Sequence, residues 1–172
     1  MLWLMKLSRI LRSLTLTGLA FFASTVAVFG ASERPVSSVS FLDTLTDASK
    51  VAARHSDMQV LRISGRSMLP FFGDGSVVIV KKIDASQLHE GMVVVYQNRF
   101  GETVAHRIVA SIASGFVVQG YNNSAIDSTV VNDANLVGVV YATFHSNGIT
   151  DAGNALAANA PVTAVALAAP AK

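Results

Sequence analysis

"GMVVVYQNRFGETVAHRIVASI", residues 91–112, holds two runs rich in valine and isoleucine on either side of a polar break at residues 98–101. β-branched runs of this length divided by asparagine and glycine predict two strands joined by a hairpin turn. In the second run, alternation puts Val104, His106 and Ile108 on one face and Thr103, Ala105 and Arg107 on the other. Similar runs occupy residues 60–63, 77–83, 116–119 and 136–144, with a second hairpin break at Ser114-Gly115. Together they predict a mainly β fold, one β domain over residues 59–148.

Residues 33–39, "ERPVSSV", read as a linker. Ser40 then opens a short amphipathic helix, with Asp43 in capping-box position and Phe41, Leu42, Leu45, Ala48, Val51 and Ala52 at helical spacing. The helix is expected to end near residues 54–56, so residues 33–58 form linker and helix. Residues 149–172 are rich in alanine and proline, poor in bulky apolar groups, and read as a disordered tail.

The 172 residues carry a formal charge of +2, from thirteen Lys and Arg against eleven Asp and Glu. Lys6, Arg9 and Arg12 precede any acid, and the chain beyond residue 31 keeps ten basic against eleven acidic residues. The basic excess is therefore a terminal cluster, and no basic stripe for nucleic acid is expected on the folded domain. Cysteine is absent, which excludes disulfides, thiolate metal sites and a cysteine nucleophile. No metal or other cofactor is expected.

Residues 13–32 form an uncharged run of 20 residues ended by Glu33 and Arg34. A helix of about 20 residues spans about 30 Å of hydrocarbon, so residues 1–32 read as a membrane anchor. Basic residues ahead of it place the N-terminus in the cytoplasm and the β domain outside. Small residues at 28–30 and 30–32 equally permit a cleaved signal, which would leave a secreted domain.

Within "SGRSMLPFFGDG", residues 64–75, Ser67 is a nucleophile only if the chain supplies a base and a group to orient that base. His55, His89 and His145 lie in polar or turn settings and read as solvated. His106 lies on an apolar strand face, where it is either a satisfied core histidine or a general base; an imidazole, with an ordinary pKa of about 6.5, suits the second role. A carboxylate on the second ring nitrogen would hold the tautomer. Asp127, in "GYNNSAIDS" (residues 120–128), and Asp133 are the candidates.

In their order, "SGRSMLP", "GMVVVY", "AHRIV", "GYNNSAIDS" and "LVGVVYATF" resemble the signal peptidase I family of membrane serine proteases, over residues 64–144. The base position reads His106-Arg107, similar to the archaeal and endoplasmic-reticulum-type branch, where the main bacterial branch has lysine. The resemblance implies a single compact β domain of the signal-peptidase and LexA-like type. It implies Ser67 as nucleophile, His106 as base and Asp127 as orienting acid. It further implies an oxyanion hole from Ser67, Gly65 and Ser64, and a substrate-binding apolar rim at Met68 and Leu69, extended by Phe71 and Phe72; core packing is the other reading of those four. The implied substrates are exported preproteins at the lipid bilayer, cut after small residues at the first and third positions before the bond. The resemblance says nothing of accessory subunits.

Two departures stand beside this resemblance. Gly65 replaces a serine common in the branch, and one missing oxyanion donor costs about 3 kcal/mol of transition-state stabilisation. Aspartates that commonly follow the glycines at three strand starts are replaced by Ser76, Met92 and Tyr121, with Asp74 a shifted substitute for the first. These departures leave room for an inactive exported binding or scaffold protein. A self-cleaving repressor-type peptidase is a further alternative, but it would need a lysine base, and Lys81 and Lys82 only end a strand.

Overall fold

Ser40 turns the chain into helix α1 (Phe41–Ala52): its Oγ accepts a hydrogen bond from the Asp43 N–H at 3.1 Å and donates one to the Asp43 carboxylate at 2.7 Å. This side-chain cap satisfies a donor that the first turn otherwise leaves open. The helix lays Phe41, Leu45, Ala48 and Ala52 against Val77 and Ile79. Burial of each larger apolar side chain there contributes about 1.5–3 kcal/mol.

The computed structural model describes residues 33–148 and 164–167. The anchor or signal expected at 1–32 lies outside them, as does the tail apart from residues 164–167. Among the described residues no helix is long and apolar enough to cross a membrane.

Among the described residues seven strands form one sheet: β1 (Met58–Ser64), β2 (Val77–Lys81), β3 (Val93–Gln97), β4 (Thr103–Ile112), β5 (Gly115–Gln119), β6 (Leu136–Phe144) and β7 (Ala164–Leu167). Their spatial order is β5-β4-β3-β6-β2-β1-β7, antiparallel throughout except for the parallel β1/β7 pair. The mainly β architecture matches the sequence pattern. β7 does not, since it falls in the segment that reads as a disordered tail. Its pairing is physically simple: an edge strand leaves backbone donors and acceptors open, and an uncharged extended segment can satisfy them whatever its side chains.

The β3/β4 hairpin closes where predicted. Asn98 Oδ1 accepts from the N–H groups of Phe100 and Glu102 at 2.9 and 3.0 Å, and Gly101 takes a φ of 78°, which few other residues adopt. Simple alternation fails on β4 in one respect. Ala105, opposite His106 in face, is also buried, packing with Leu61, Ile63, Met68, Phe72, Val78, Val80 and Val95. Val104 and Ile108 join a second core with Val94, Tyr96, Val118 and Val131. Register shifts at Ile79/Val80, Val95/Tyr96 and Ile108/Ala110 bend the sheet, so both faces of its middle strands are covered.

His55 and His89 are exposed as the sequence suggests, but His145 is half-buried, with Nδ1 3.4 Å from Ser76 Oγ. Burial first, and then the charge of Arg34, push its pKa below the ordinary imidazole value. The unfolded chain therefore takes up the proton before the folded one. Stability from this residue is complete above about pH 6.5 and is lost as the pH falls through that value toward the lower folded pKa. Thermal unfolding compared at pH 7.5 and 5.5 is expected to show a smaller acid-induced drop in Tm for His145→Gln than for the unsubstituted protein; an equal drop would refute this assignment.

Candidate active site

Ser67 lies in the turn that follows β1, and that turn is held from below by apolar side chains. Met68 and Phe72 are buried in the first core. Of the two readings of Met68, this burial favours core packing: its thioether fills the space between β1, β2 and β4. Leu69 is also buried, against the Gly73 turn, and borders a shallow surface cleft with Arg34, Arg66 and Asp74. Only Phe71 is substantially exposed, with its ring 4.2 Å from that of Tyr121.

His106 pairs across the hairpin with Val94, and Tyr96 with Val104, so the period of two puts Tyr96 and His106 on one face as diagonal neighbours. The imidazole is fully buried, with Nε2 2.8 Å from Ser67 Oγ and Nδ1 2.5 Å from Asp127 Oδ2. A carboxylate only accepts, so Nδ1 carries the proton toward Asp127 and Nε2 is left to accept from the Ser67 hydroxyl. The three groups thus form one directional relay. Asp133 stands elsewhere, its Oδ1 accepting from the Ala85 N–H at 3.0 Å.

The carboxylate of Asp127 has a second donor that sequence reading missed. Tyr96 O–H also donates to Oδ2. Burial first, then the hydrogen bond and the charge of Asp127, push the phenol pKa far up, so Tyr96 stays protonated and remains a donor. A buried tyrosine hydroxyl needs a partner; the signal in the sequence was a tyrosine two residues from the position opposite His106.

The Asp127 turn is also tied to the Ser67 backbone. Asn122 N–H donates to the Ser67 carbonyl at 2.7 Å, and Asn122 Nδ2 donates to the Arg66 carbonyl at 3.2 Å. Gln119 Nε2 donates to the Asn123 carbonyl at 2.8 Å, while Asp127 N–H donates to Val118 at 2.9 Å. Gly120 passes so close that a Cβ there would lie 2.7 Å from the Ser67 carbonyl oxygen and 2.9 Å from Ser67 Cβ.

The oxyanion donors expected from Gly65 and Ser64 are differently engaged. Gly65 N–H donates to Asp74 Oδ1 at 2.7 Å, and Ser64 Oγ points to the same oxygen at 3.5 Å. Asp74 thus caps this turn and engages both groups. The Ser67 N–H itself has no partner among the described residues.

Removing the phenol donor in Tyr96→Phe leaves the Asp127 carboxylate held by His106 alone. Labelling of Ser67 by a fluorophosphonate is expected to slow about tenfold, as for one lost hydrogen bond to a charged group, and Tm is expected to fall because a partly buried carboxylate loses one partner. An unchanged labelling rate would remove Tyr96 from the relay. Gly120→Ala forces the Ser67 backbone to move, and is expected to slow labelling more strongly, about 100-fold, since small displacements of a nucleophile are costly. Labelling at the unsubstituted rate would show that the turn yields instead.

Residues 27–141 match the model of the Peptidase S24-like family. Over 75 residues the chain is 39% identical to signal peptidase I W of Bacillus subtilis (strain 168), an alignment covering 41% of this chain and 40% of that protein. The chain thus matches about two fifths of the length of this curated relative. A match to the family model over well over half its residues shows that the chain belongs to the Peptidase S24-like family.

Proposed function

We propose that the protein is a membrane-associated serine endopeptidase that removes signal peptides from exported preproteins. The observation that carries this reading is the relay from Ser67 Oγ through His106 to Asp127, at 2.8 and 2.5 Å. His106 Nε2 takes the Ser67 proton as Oγ attacks the peptide carbonyl. The imidazolium, stabilised by Asp127, then gives that proton to the departing amine, and an acyl-enzyme remains. Water activated by the same imidazole releases the acyl group and restores Ser67. The free Ser67 N–H is the donor for the oxyanion.

The relative's name supports the substrate class, and the His106-Arg107 pair supports the archaeal and endoplasmic-reticulum-type branch over the lysine branch. Catalysis is assigned to residues 59–148, and residues 1–32 to an anchor, or a cleaved signal, that exports this region. An anchor would hold the site beside a scissile bond at the bilayer surface and raise the effective concentration of substrate.

Co-expression with a model preprotein is the test. The unsubstituted protein is expected to process it, whereas Ser67→Ala and His106→Ala lower the rate about 10⁴-fold or more. His106→Lys is expected to be equally inactive, because a flexible ammonium does not reproduce the imidazole bridge to Asp127. Absence of processing by the unsubstituted protein, where a known signal peptidase succeeds, would favour the non-enzymatic scaffold.

A further inference from the structure

Ser67 and His106 are both fully buried, although a peptide carbonyl must reach Ser67 Oγ. Two open strand edges flank them. β4 pairs with β5 only from Arg107 onward, so along Thr103–His106 its side away from β3 has no ladder partner among the described residues. On β1, the Ile63 N–H donates toward β2, to the Ser76 carbonyl at 2.9 Å. Alternation therefore turns the N–H groups of Arg62 and Ser64 to the opposite edge. These two edges border a seam that leads to Ser67, three residues beyond Ser64. Such a seam suits an extended peptide, which gains main-chain hydrogen bonds from an edge regardless of its sequence.

β7 already lies there. Ala164, Val165, Ala166 and Leu167 run parallel to Leu61, Arg62, Ile63 and Ser64, one for one, and approach within 8 Å of β4 between Cα atoms. The parallel direction carries the chain toward Ser67. The segment also contains two overlapping Ala-x-Ala triplets, at 164–166 and 166–168, the small-residue pattern proposed above for the substrate. We propose that the chain's own C-terminal segment, Ala164–Leu167, is a built-in ligand of the seam between β1 and β4, held where a substrate peptide would lie and competing with it. This regulation rests on the endopeptidase reading, but the docking itself can be tested without catalysis.

The experiment uses the full chain in the Ser67→Ala background, with and without the pair Val165→Pro and Ala166→Pro. Adjacent prolines remove one donor on each side of the tail strand, and so at least one of those facing β1. Hydrogen exchange is read at the Arg62 and Ser64 amides. About tenfold or greater loss of protection in the proline variant, restored by a synthetic peptide of residues 163–172 at millimolar concentration, is the expected result. In the Ser67-containing protein the same prolines are expected to lower KM for an external Ala-x-Ala peptide about threefold with kcat unchanged, as for removal of a tethered competitor.

Equal protection with and without the prolines would overturn the proposal, even if external peptides are cut. Loss of the tail after Ala166 or Ala168 in the Ser67-containing protein only, seen by mass spectrometry, would also overturn it, making the tail a consumed substrate. Protection that depends on the tail, with no cleavage of any external peptide by either form, would uphold docking and remove the endopeptidase reading.

Discussion

A carboxylate can accept hydrogen bonds but not donate them, and Asp127 accepts from both His106 and Tyr96 on a single oxygen. That constraint sets the direction of every proton around it. With Nδ1 committed as a donor, the other imidazole nitrogen is free to accept, and the Ser67 hydroxyl is what it meets. The same oxygen joins the turn after β5 to the β3/β4 hairpin, so the chemistry and the closure of the fold share one bond network. In a buried setting each of these bonds is stronger than in water, and a missing partner is correspondingly costly.

Placement of the three groups depends on packing that has no chemical role. Met68 and Phe72 fix the Ser67 turn in the first core, while Val104 and Ile108 fix the strand that carries His106 in the second. The sheet can serve both cores because bulges bend it, one beside Tyr96 and another just beyond His106. Gly120 and Asn122 then bring the acid-bearing turn into direct contact with the Ser67 backbone. A side chain at residue 120 would occupy the space that this contact needs.

Asp74 caps the turn that leads into Ser67. Its carboxylate takes the Gly65 N–H and draws the Ser64 hydroxyl, stabilising the loop but leaving the Ser67 N–H as the open donor beside the relay.

Much of the local structure was legible along the chain. The valine runs located six strands, Ser40 and Asp43 located the helix start, and Asn98 with Gly101 located the hairpin, because propensity, period and turn chemistry act over a few residues. The order of Ser67, His106 and Asp127 could also be read, since residue types and motif wording survive without coordinates. What tertiary structure alone decided was convergence: that Asp127 and not Asp133 reaches the imidazole, that Tyr96 shares its oxygen, that Met68 is core, and that residues 164–167 pair with β1. These outcomes turn on strand register, bulges and edge pairing between segments far apart in sequence, and no local pattern encodes the distance between them.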